Sequence, residues 1–217
     1  LDGSRAARAG FPAQLDSLGR NAHREVDLPA SLHSVKSMAQ PSTVRRLKLD
    51  LSDVDRGVYE SFDVRLAQHP SETDVYLVTR VLAYALCYEP GIDFSHGLSN
   101  ADEPALWIKE PDGRLTTWIE VGTPSAERLH RASKACPRVV IFTQHDPELI
   151  VKETRKTQVH RAEHIELYVP TQALLKQLAT RVERAMQWAL VRSDEKLYVT
   201  IGSEVLEGAI TRQPLDA

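Results

Sequence analysis

The segment Arg138 to Thr143, RVVIFT, is an unbroken apolar run lying between two stretches with helical spacing. A strand with no polar face needs cover on both sides, so it reads as the centre of a sheet with helices packed against it. Its neighbours supply that cover. PSAERLHRASKA, ending at Ala135, and DPELIVKETRKTQ, starting at Asp146, both have the pattern of short amphipathic helices. A chain built this way is α+β or mixed α/β.

The rest of the sequence changes period in an orderly way. VRRLKLDLSDVDRGVYESFDVRLAQH, from Val44, alternates apolar and polar residues on both sides of Asp55-Arg56-Gly57, which predicts an N-terminal β-hairpin. Behind it Val75, Val78, Leu82, Ala85 and Leu86 recur at helical spacing. With Ser71 and Asp74 as a capping box, they predict a helix from about Glu72 to Tyr88. IELYVP reads as a short strand, and TQALLKQLATRVERAM as a helix with Leu174, Leu175, Leu178, Val182 and Ala185 on one face. The tail QWALVRSDEKLYVTIGSEVLEGAITR predicts three short antiparallel strands.

Residues 1–37 show no sustained period and are rich in Ala, Arg, Ser and Gly, so they are expected to be a poorly ordered leader or sequence added upstream. Residues 38–217, opening at Met38, then form a single domain. That part carries 22 Lys and Arg against 26 Asp and Glu, a net charge of −4, beside −3 for the whole chain. Nucleic-acid contact would therefore need a local basic patch. No apolar run reaches the roughly 18 to 20 residues of a membrane span, and a cytoplasmic protein without membrane contact is expected. Cys87 and Cys136 lack metal-ligand spacing and read as reduced core thiols. Trp107, Trp118 and Trp188 could stack on bases, but core or cross-strand packing is the more usual role.

The chemistry-bearing stretch is DEPALWIKEPDGRLTTWIEVGTP, Asp102 to Pro124. A turn at Pro111-Asp112-Gly113 makes cross-strand partners sum to about 223–225, which sets Glu120 opposite residue 103, 104 or 105. Opposed residues are roughly 5 Å apart, so Asp102 or Glu103 can share a divalent cation with Glu120; a solvated strand end is the alternative. Glu72 could add a third carboxylate, or simply favour the first turn of its helix through the macrodipole. Arg80, two turns later on the same face, is a phosphate contact or an ion-pair partner for Glu72.

In order and spacing, HPSETD, VTRVLAYAL, GLSNADEPALW and TWIEVGTP resemble the bacterial YaeQ family from Met38 to about Arg212. The resemblance implies a variant of the PD-(D/E)XK nuclease fold, a mixed sheet flanked by helices, and a phosphodiesterase-like pocket using Mg²⁺ or Mn²⁺. On that pattern Glu72, Asp102 and Glu120 would be the metal-binding and catalytic acids, with Glu103 and Arg80 beside the substrate. The catalytic lysine is replaced by Gly122. Lys134 is then the candidate migrated lysine and Arg131 the phosphate clamp, unless both belong to a solvated helix face. Two functions follow. One is a metal-dependent nuclease; the other is a nuclease-fold protein that binds nucleic acid or a protein partner without hydrolysis.

Overall fold

The computed structural model describes residues 42–95 and 102–215. The leader, 1–37, and residues 96–101, which hold the GLSNA part of the family motif, lie outside them.

β1 (Thr43–Asp53) and β2 (Val58–Gln68) form the predicted hairpin, paired antiparallel from Thr43 with Gln68 to Asp53 with Val58. Leu47, Leu49 and Leu51 of β1 are buried while Arg46, Lys48 and Asp50 are exposed, as a period of two requires. α1 (Asp74–Leu86) follows, then β3 (Ile92–Phe94), β4 (Leu106–Lys109) and β5 (Leu115–Val121). α2 (Ala126–Ala135), β6 (Arg138–Phe142), α3 (Pro147–Thr157) and β7 (Glu166–Pro170) make two parallel crossovers. The chain ends through α4 (Gln172–Ala179), β8 (Ala185–Ser193), β9 (Lys196–Ile201) and β10 (Glu204–Gln213).

Among the described residues ten strands join one mixed sheet in the order β2-β1-β8-β9-β10-β7-β6-β5-β4-β3. β6 sits between parallel β5 and β7, the doubly covered place its composition demanded. Val140 and Phe142 face the large core shared with α1 and α4. Val139 and Ile141 face a second core with Leu129 of α2 and Ile150 of α3. Because consecutive parallel strands β5, β6 and β7 progress in one direction across the sheet, right-handed crossovers place α2 and α3 on the same face.

Two boundaries differ from the sequence expectation. α1 starts at Asp74, with Thr73 as N-cap: its hydroxyl accepts from the Tyr76 N–H at 3.2 Å. Ser71 instead bonds the His69 ring nitrogen at 2.7 Å, so Glu72 lies before the helix rather than in its first turn. α4 stops at Ala179. Arg181 folds back to donate to the Gln177 carbonyl at 2.7 Å and ion-pairs with Glu204 at 2.6 Å. Ala185 then opens β8, which pairs parallel with β1 from Arg46 onward. A sheet ladder outweighs the last helical turns that local spacing suggested.

Candidate functional site

β4 and β5 pair with Leu106 opposite Ile119 and Trp107 opposite Trp118, so partners sum to 225 and Glu120 falls level with Ala105. Trp107 and Trp118 are thus a cross-strand pair, and Trp188 is buried in the core. On β5, Trp118 and Glu120 share the face of their parallel partners Val139 and Ile141, which is the face α2 covers. Glu120 is therefore not a solvated strand end: it is only 5% exposed.

A carboxylate so placed needs partners, and it has two. Oε1 of Glu120 accepts from Trp118 Nε1 at 2.5 Å and from Arg128 Nε at 2.6 Å. Arg128 stands one helical turn after Ser125, the N-cap of α2, whose hydroxyl accepts from the Arg128 N–H at 3.2 Å. Its guanidinium also donates to the Glu103 carbonyl and lies 5.7 Å from the Trp118 ring centroid. Burial pushes the Glu120 carboxyl above the ordinary range, while the Arg128 charge and the Trp118 and Arg128 hydrogen bonds pull it back.

These groups line a cleft of about 460 Å³ at the C-terminal ends of β5 and β6, where ligand crevices of parallel sheets form. Tyr76 of α1, Pro104, Ala105, Gly122 and Pro124 give it apolar walls, and Gln144 and His145 close the far side. A second lobe of about 410 Å³ adjoins it through Tyr76, Gln144 and His145 and reaches Ser71, Glu72 and Gln172. Burial raises the Tyr76 phenol to about 12, against the pull of the Arg80 charge, so it stays protonated.

Gly122, which the nuclease resemblance would set at the lysine position, has φ +96°, in the region that side chains rarely adopt. Its N–H bonds the Phe142 carbonyl at 2.9 Å, and a Cβ there would rest 3.5 Å from the Tyr76 ring. The backbone conformation at the end of β5 requires glycine. The departure from the nuclease pattern is thus a conformational matter as well as a chemical one.

The remaining candidates fall in separate places. Glu72 is buried and takes Arg80 Nη1 at 2.9 and 3.1 Å, plus the His69 N–H at 3.2 Å. Arg80 is 1% exposed, also donates to the Ala67 carbonyl and stacks over Phe94, so it is the ion-pair partner and has no outward face for phosphate. Asp102 and Arg131 are both largely exposed and lie 3.7 Å apart; they line a neighbouring hollow that shares Arg128 with the cleft, and neither of them lines the cleft itself. Lys134 is exposed in the last turn of α2 and lines neither lobe, against the expectation of a migrated lysine at the acids. Glu103 does line the cleft.

Glu72 and Glu120 are thus each held by a buried or partly buried arginine, Arg80 and Arg128, while Asp102 has Arg131 within 3.7 Å at the surface. Among the described residues no three His, Cys, Asp or Glu side chains gather as a cation site. As the side chains stand, the donors do not fit a resident Mg²⁺ or Mn²⁺, which prefers several carboxylate and water oxygens around it. Arg128, Tyr76 and Gln144 escaped the sequence reading. Only the position of Arg128 behind the Ser125 cap could have flagged it.

Comparison with known proteins places this geometry among relatives. Residues 38–210 match the family model described as YaeQ protein. The Escherichia coli K12 protein, named there as uncharacterised, is 31% identical over 106 residues, 49% of this chain and 59% of that one. The aligned part therefore spans less than two thirds of that relative. The Salmonella typhi counterpart is 25% identical over 175 residues, covering 80% and 97% of the two chains. Among crystal structures, the Pseudomonas syringae protein is 35% identical with TM-score 0.74, covering 80% of this chain and 97% of its own. The Xanthomonas axonopodis pv. citri protein is 29% identical with TM-score 0.73, covering 79% and 98%.

Proposed function

The chain belongs to the YaeQ family, and for it we propose a recognition protein, built on a variant of the nuclease sheet, that binds a macromolecular partner in this cleft without hydrolysing it. One observation carries the reading. Glu72 and Glu120, two of the three acids of the nuclease pattern, already accept from a buried or partly buried arginine, and the shorter pair, Glu120 with Arg128, is 2.6 Å apart. A divalent ion at Glu120 would have to share the carboxylate with a guanidinium already 2.6 Å from Oε1, and the repulsion between the two positive charges opposes it. Gly122 adds no positive charge, and Lys134 lies on the outer helix surface. The cytoplasm is the expected compartment, in keeping with the free, buried Cys87 and Cys136. Among the described residues no helix is long and apolar enough to cross a membrane.

The test is a calorimetric Mn²⁺ and Mg²⁺ titration on the wild-type protein and Glu120→Gln, with cleavage assays on single- and double-stranded DNA and RNA. The expected result is no saturable binding that depends on Glu120 and no metal-dependent cleavage. Metal affinity or cleavage that disappears in Glu120→Gln would return the protein to the nuclease reading.

A further inference from the structure

We infer that the free edge of β2 pairs antiparallel with the same edge of a second copy of this chain, around a two-fold axis at Phe62, with Tyr59 of each copy against Arg65 of the other. None of these residues lines the cleft or its second lobe.

The two ends of the sheet differ. β3 closes one end with three residues, whereas β2 closes the other with eleven, in unbroken register with β1 and with neither bulge nor proline. Shortness, bulges and prolines commonly protect an edge, and β2 has none of them. The direction of its backbone groups follows from β1. The N–H groups of Arg46 in β1 and of Val54 just beyond it bond the Arg184 and Arg192 carbonyls on the β8 side, at 2.9 Å each, so the even-numbered residues turn away from β2. By alternation the odd ones turn toward it, and their partners Glu60, Phe62, Val64 and Leu66 spend their backbone groups on β1. Tyr59, Ser61, Asp63 and Arg65 point theirs outward, where no described strand meets them. The next outward carbonyl, that of Ala67, accepts from Arg80 and ends the open stretch.

The side chains select the partner and its register. A two-fold axis normal to the sheet keeps its faces together, so each residue meets one of its own parity. An axis at Asp63 sets two carboxylates opposite each other, and one at Arg65 two guanidiniums. An axis at Val64 draws in Ala67, whose carbonyl is taken, and one at Ser61 runs Arg65 onto the turn at Gly57. At Phe62 the ladder uses the open stretch alone: Tyr59 meets Arg65 and Ser61 meets Asp63, each pair twice. The exposed Arg65 side chain makes no hydrogen bond or ion pair, and Tyr59, 63% exposed, is the most exposed large hydrophobic side chain described. A guanidinium over a phenol ring satisfies both. On the core face Phe62 meets its own copy and extends the aromatic cluster it forms with Tyr84 and Tyr88.

Sedimentation velocity on the full chain, at concentrations up to about 100 µM, should show a reversible dimer. Arg65→Pro removes an N–H that points away from β1, so it should abolish the dimer and leave the circular-dichroism spectrum unchanged. Two substitutions at Tyr59 read the register. Tyr59→Lys sets like charges opposite each other and should weaken the dimer at least tenfold, whereas Tyr59→Glu offers Arg65 of the second copy a carboxylate and should hold or tighten it. A wild-type monomer throughout overturns the inference. So does a dimer that Arg65→Pro or Tyr59→Lys leaves intact, or that Tyr59→Glu weakens. Should Arg65→Pro alter the spectrum, the two Tyr59 variants decide alone.

Discussion

Replacing Arg128 by alanine leaves Glu120 with one hydrogen bond, from Trp118, in a place where it is only 5% exposed. Breaking a fully buried pair by removing one partner costs about 3–5 kcal/mol. Arg128 keeps 19% of its side chain exposed, so screening trims the expected loss to about 2–3 kcal/mol. With a urea slope of about 2–3 kcal/mol per molar for a chain of this size, the midpoint should fall by about 1 M. The pH dependence gives a sharper check. Burial already lifts the Glu120 carboxyl, and the charge and hydrogen bond of Arg128 are among the forces that lower it. Removing them raises it further. A carboxyl whose folded pKa stands above its unfolded value binds more protons when folded, so its contribution to stability falls as pH rises from the unfolded value through the folded one. The penalty of Arg128→Ala should therefore be small at about pH 4, where Glu120 is protonated, and full near pH 8. Urea denaturation of both proteins at the two pH values measures it. A penalty of the same size at both, or none at either, would refute the claim that Arg128 is the counter-charge of Glu120.

Further substitutions probe the other placements. Gly122→Lys places a lysine where the nuclease resemblance would have one but forces a side chain onto φ +96°, and should lower stability by about 1–3 kcal/mol in denaturation without producing metal-dependent cleavage. Glu72→Gln strands the Arg80 charge in the interior and should cost about 3–5 kcal/mol, whereas a phosphate-binding Arg80 would show its loss in ligand affinity with stability intact. Lys134→Ala should leave the melting temperature unchanged within about a degree, because Lys134 is exposed in the last turn of α2.

Local pattern was enough for much of this architecture. The alternation in β1 and β2, the apolar run of β6, the Pro-Asp-Gly turn and the three C-terminal strands each encode their element within a few residues, and the turn bounded the β4–β5 register to a sum of about 223–225, within which a shift between Ile108 and Lys109 selects 225. It was also enough to single out Glu120 as a residue of interest. It did not encode the partner of Glu120. Arg128 meets it only because a right-handed crossover returns α2 over β5 and β6, and Arg80 seals Glu72 only because α1 packs inside the large core. The end of α4 was likewise decided by long-range contact, since Ala185 gains a ladder to β1 that no window of neighbouring residues contains. Periodicity records which face of an element meets solvent. Whether three carboxylates converge on one cation or each takes an arginine depends on contacts between residues distant in the chain, and only the assembled tertiary structure determines those.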